Sequence, residues 1–223
     1  MAGVSRILCI AALIGAAGAL AAAALAAPGD PKLALKPADV AYARTIVLQK
    51  ADLKKNTGWK ATATDFGRVN PVCVVKHFSL SKLTATAQVG RTFSRNVGTG
   101  TFLVESDVHV FKTPAQAATA ATVTSSTGYA KCLGAVLAGE VPAGSFGKAT
   151  SKQLSLSGLK ATATGFEIDV KVVNQQGTTK LTAWVINLRK GRALGTLSIL
   201  TVGKGWTQDD LRAAAATMAA RMH

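Results

Sequence analysis

Histidine is scarce, with three in 223 residues. A Ser–His–Asp arrangement would have to use His77 or His109, and either reads as readily as an ordinary strand residue. The sequence contains no H-E-x-x-H, no paired C-x-x-C, no P-loop, no G-x-S-x-G elbow and no G-x-G-x-x-G. Each absence removes a recognisable route to chemistry: zinc hydrolysis, dithiol redox, nucleotide phosphate binding, acyl transfer and dinucleotide binding. No catalytic residue, metal ligand or cofactor is therefore assigned. Acidic residues are also few, 11 against 26 Lys and Arg, for a formal net charge of +15. Aromatics make up 5%, and none interleaves with the densest basic segment, which argues against nucleic-acid binding.

What is present begins with an export signal. Arg6 is the only charge ahead of Asp30, and Ile7 to Ala27 holds nothing ionisable except the thiol of Cys9. Ala24-Leu25-Ala26 supplies the small-x-small pattern that signal peptidase reads. Residues 1–26 are read as a signal peptide, 27–37 as a linker and 38–223 as one domain acting outside the cytoplasm. The alternative is a retained anchor, since about 20 apolar residues span a bilayer. Cys9 lacks the small residue before it that a lipoprotein cysteine needs.

Once the leader is gone, Cys73 and Cys132 remain. An even pair in an exported chain predicts a disulfide, and so long a loop would contribute about 4 kcal/mol. The excess of cations predicts attraction to anionic envelope polymers or lipid head groups. Arg189, Lys190 and Arg192 form the densest cluster and are the candidate anion contact, although such turns are commonly just solvated.

Asp39 is expected to open a helix with Val40, Ala43 and Val47 on one face, ending near Leu53. Trp59 to Phe66, Val72 to Phe78, Leu83 to Arg95 and Thr101 to Lys112 read as strands. In the last of these, Phe102, Val104, Val108 and Val110 alternate with Glu105, Asp107 and His109, which should face solvent or a cleft. Three such groups on one side of a strand could also meet a cation. Glu167, Asp169 and Lys171 repeat the pattern, with the lysine pointing to charge pairing across strands. Thr113-Pro114-Ala115-Gln116 starts a helix with a capping box, and a second carries Cys132. Leu159 to Val173, Thr179 to Arg189 and Arg192 to Val202 form a meander. Thr207 to Asp210 caps a final helix that buries Leu211, Ala214, Ala215, Met218 and Met222. Trp59, Trp184 and Trp206 are expected in the core or in a cleft wall. Lys60-Ala-Thr-Ala-Thr recurs at Lys160 and Ser79-Leu-Ser at Ser155, but the two spacings disagree, so this is shared composition rather than a tandem repeat. The order of elements predicts an α+β fold, a largely antiparallel sheet with flanking helices.

Several segments together resemble small secreted actinobacterial proteins of the PknH-type extracellular sensor-domain family, and PsbP-like α/β/α sandwiches. They are Ala43 to Leu48 through Asp52-Leu53, Gly58-Trp59, Phe78-Ser79-Leu80 before the Leu-Thr-Ala-Thr-Ala strand, Cys132-Leu133, and Arg189 to Arg192. The resemblance spans most of residues 38 to 222 and is diffuse. It implies a non-enzymatic, sensor-like or ligand-binding module with a cleft between sheet and helices; a monomer and an unknown small ligand are expected apart from it. An envelope-acting hydrolase and a charge-driven polyanion binder are the alternatives.

Overall fold

The computed structural model describes residues 29–53, 58–64, 79–97, 100–139, 146–174, 177–202 and 206–223. The expected signal peptide, Cys73, His77 and the expected strand from Val72 to Phe78 lie outside the described residues.

Among the described residues one sheet contains eight strands: β1 (Lys32–Leu33), β2 (Lys60–Thr64), β3 (Thr84–Val97), β4 (Gly100–Phe111), β5 (Phe146–Gln153), β6 (Thr162–Asn174), β7 (Gly177–Lys190) and β8 (Ala193–Val202). Among the described residues four α-helices accompany it: α1 (Pro37–Ile46), α2 (Pro114–Thr124), α3 (Thr127–Gly139) and α4 (Gln208–Arg221). The strand order is β1-β3-β4-β8-β7-β6-β5, with β2 also on β3. Every pairing is antiparallel except β1 with β3. The fold is α+β, as the element order predicts. Two meanders, β2 to β4 and β5 to β8, join where β4 pairs β8 from Thr101↔Val202 to Val110↔Ala193.

The period of two in β4 explains why it can sit at the centre. Phe102, Val104, Val108 and Val110 are all 2% exposed or less. Each such side chain contributes roughly 1.5–3 kcal/mol by leaving water. They meet Ile46 of α1 and Leu211 and Met218 of α4 in one core cluster. On the other face, α3 sets Tyr129, Ala130 and Leu133 against Phe166, Ile168 and Val170, and α2 sets Ala117 and Ala120 against Phe111 and Leu194. Helices therefore pack on both faces, so the polar side of β4 is not a simple solvated surface: His109 is only 3% exposed.

Local chemistry sets the helix boundaries. Thr207 Oγ1 accepts from the Asp210 N–H at 3.2 Å while the Asp210 carboxylate accepts from the Thr207 N–H at 3.2 Å, closing a capping box on α4. Thr113 caps α2 by accepting from the Gln116 N–H at 3.2 Å. The Gln116 side chain does not complete a box there. Its Oε1 accepts instead from the Thr84 N–H at 3.1 Å, tying α2 to β3. The segment before Pro37 is not a free linker, because Lys32 and Leu33 pair with Thr84 and Ala85 of β3. Helix α1 opens at Pro37, whose fixed φ suits the first turn, rather than at Asp39.

Candidate functional site

Strand β4 lies between β3 and β8, and its register builds rows across the sheet. Thr92, Glu105 and Ser198 form one row, Gly90, Asp107 and Thr196 the next, and Gln88, His109 and Leu194 the third. Side chains in register on neighbouring strands share a face, here the face on which Phe111 and Leu194 meet α2.

Glu105 and Asp107 are half-buried, so solvent still reaches them. Yet burial raises the Glu105 carboxyl above its ordinary range and holds Asp107 well above it, with the Glu105 charge adding to the latter. Both carboxyls are thus largely withdrawn from water while keeping partial exposure. Among the described residues, no hydrogen bond or ion pair reaches either carboxyl, nor the side chains of Gln88, Thr92 and Ser198. His109 completes the stripe. Burial lowers its pKa to about 4, its Nε2 has no hydrogen-bond partner, and its ring stacks on Phe111 at 6.1 Å.

Other carboxylates behave differently. Asp39 lies 2.7 Å from the Arg192 guanidinium, whose hydrogen bonds lower its pKa against the cost of burial. Burial raises Asp52, but Arg221 at 2.7 Å and the Gln49 N–H outweigh it. Glu167 and Asp169 likewise overcome burial through Lys152 at 3.0 Å and Lys180 at 2.9 Å, the cross-strand pairing expected of that stripe. Against these four, Glu105 and Asp107 stand out as desolvated acids without cations.

The three groups on β4 do not form a metal site. Among the described residues, no three His, Cys, Asp or Glu side chains converge for one. Alternate residues of a strand stand about 7 Å apart, too far for three ligands from one strand to close on a single ion. Nor does His109 hydrogen-bond to a hydroxyl or carboxyl among the described residues, and His77 lies outside them.

The basic turn is partly committed to the fold. Arg192 donates to both Asp39 oxygens, at 3.0 and 2.7 Å, and to the Phe111 carbonyl. Lys190 Nζ donates to the Met222 carbonyl at 2.8 Å, beyond the end of α4, and Arg189 is half-buried. A surface hollow of about 390 Å³ adjoins them, lined by Asp39, Tyr42, Pro114, Gly191, Arg192 and His223. An anion entering it would compete with Asp39 for Arg192.

Trp59 and Trp184 are buried; Trp59 meets Trp206 edge-on at 6.2 Å, and Trp184 Nε1 donates to Glu167. Cys132, on α3, packs at the rim of the Phe166 cluster. Sequence reading singled out Glu105, Asp107 and His109 but not Gln88, Thr92 and Ser198. The signal for the first two was the polar alternation Gln88-x-Gly90-x-Thr92-x-Ser94 in β3.

No family model and no curated protein matches the chain. Among solved structures it is similar to the extracellular domain of PknH from Mycobacterium tuberculosis, at 12% identity and a TM-score of 0.46, covering 83% of this chain and 97% of that one. It is also similar to an uncharacterised protein from Mycobacterium smegmatis, at 11% identity and a TM-score of 0.38, covering 82% and 97%. The first of these is the kind of domain that the sequence resembles.

Proposed function

We propose that the chain is exported and serves outside the cytoplasm as a ligand-binding, sensor-like module that does not transform what it binds. The leader supports export. The observation that carries the binding reading is the pair Glu105 and Asp107, deep in the fold, reached by solvent and without cations. Ionised carboxyls in such a place are costly, and a ligand presenting a cationic or donor-rich group removes that cost. Gln88, Thr92 and Ser198 then supply neutral hydrogen bonds that orient it.

Spermidine is a suitable probe. Calorimetry and thermal shift should show binding that strengthens as pH rises, because the ligand favours the ionised carboxyls. Glu105→Gln with Asp107→Asn should abolish it while leaving the protein folded. Equal binding by wild type and the double variant would overturn the assignment of the site.

Export also carries the proposal that Cys73 and Cys132 form a disulfide. Thiol counting on denatured, unreduced protein recovered after export should find no free thiol, and two would refute the bond.

A further inference from the structure

The end of the sheet at which β3 begins and β4 ends carries a row of cations, the basic turn among them. Taken in strand order, Lys32 lies on β1, Lys82 precedes β3, Lys112 follows β4, Arg192 precedes β8, Arg189 and Lys190 end β7, and Lys160 precedes β6. Backbone hydrogen bonds fix this alignment. The Lys32 N–H donates to Leu83 O, the Lys112 N–H to Thr84 O and the Phe111 N–H to Arg192 O, each within 2.9 Å. Adjacent strands stand about 4.8 Å apart, so the row is continuous at the scale of lipid head groups. Lys32, Lys36, Lys82, Lys112, Lys160 and Lys190 are exposed. Of the acids at this end, Asp39 is neutralised by Arg192.

Apolar residues accompany the charge. Leu33 is 39% exposed and Leu35 47%, and with Val173 they are the exposed large hydrophobics among the described residues. Both leucines lie on the outermost extended segment, which the Ala34 and Lys36 N–H groups hold to β3. A soluble polyanion has no use for exposed leucines, whereas a bilayer interface takes both: leucine into the acyl boundary, lysine among the head groups.

We propose that this end of the sheet docks on an anionic lipid bilayer, with Leu33 and Leu35 entering the interface and Lys32, Lys36, Lys82 and Lys112 meeting the head groups. The surface is separate from the Glu105–Asp107 site and stands whether or not that site binds a cation.

Protein recovered after export should co-sediment with phosphatidylcholine vesicles carrying roughly one third phosphatidylglycerol, and much less with phosphatidylcholine alone. Leu33→Ser with Leu35→Ser should cut partitioning roughly tenfold. Neutralising Lys32, Lys36, Lys82 and Lys112 to Gln should cut it by a hundredfold or more, at roughly fivefold per cation. Neutralising Lys50, Lys60, Lys131 and Lys171 should have a far smaller effect. All these side chains are exposed, so circular dichroism should show each variant folded. Equal losses from the two lysine sets would mean that only net charge matters and would overturn the proposal. So would an unchanged affinity in the leucine variant, or binding to soluble polyphosphate as tight as to vesicles, which would indicate a polyanion site. Failure of the wild type to sediment would overturn it outright.

Discussion

Acidification from pH 7 to about 4 should cost the fold about 3 kcal/mol through His109 alone, at 1.36 kcal/mol per pKa unit. The folded value of about 4 lies below the ordinary 6.5. The unfolded chain therefore takes up a proton near 6.5 while the folded chain refuses it. The contribution is whole above 6.5 and is lost as pH falls towards 4. Other groups titrate in the same range and must be separated. Glu105 and Asp107, raised in the folded state, act with the opposite sign and favour the fold as pH falls. The pairs of Asp39, Asp52, Glu167 and Asp169, all lowered, lose stability only towards the bottom of the range. Comparing urea unfolding of wild type and His109→Leu at each pH cancels these shared terms. The difference should swing by about 3 kcal/mol in favour of the variant as pH falls. A difference independent of pH would show that His109 titrates normally and is not sealed from water.

Val108→Asp should not fold. Val108 has no exposed surface and pairs with Val89 and Gly195 on its two neighbours. A Cβ placed on Gly195 would lie 3.1 Å from the Met218 methyl and 3.2 Å from that of Met222, so α4 seals this part of the sheet too closely for water to follow a carboxylate in. An uncompensated buried charge costs roughly 3–5 kcal/mol, a large share of the stability of a domain. Circular dichroism should show no cooperative melting for Val108→Asp, whereas Ala135→Asp, at an exposed position of α3, should melt as wild type does. A cooperative transition at the wild-type temperature in Val108→Asp would show that the register of β4 is wrong.

The elements that could be read from sequence are those whose pattern and burial coincide. Phe102 to Val110 alternate because one side of β4 faces α1 and α4, and the stripe from Leu211 to Met222 is buried in full. Strand β5 was not legible: Phe146–Gln153 reads FGKATSKQ, with few apolar residues, because an edge strand has one neighbour and tolerates charge. Strand β1 was hidden by its prolines, and pairing across the sheet edge, which no local pattern encodes, gives it its structure. The candidate site was half visible. Polar alternation marked Glu105, Asp107 and His109, but alternation describes a solvated face and a recessed one equally. Helices α2 and α3 decide between them, and their placement over that face depends on contacts far away in sequence. Arg192 was legible as a charge but not as the partner of Asp39, for the same reason.

The junction of β4 with β8 also determines when the chain can fold. Thr101 has its partner only once Val202 is available, and Leu211 to Met222, which cover that junction, come later still. Contacts so distant along the chain make folding slow, because the intervening loop must be ordered before any of them forms. A polypeptide that emerges from its N-terminus therefore cannot complete this sheet while its last strand is still inside the cell. If the chain is exported as proposed, slow closure would keep it threadable during transport and leave the sheet to be completed on the far side of the membrane.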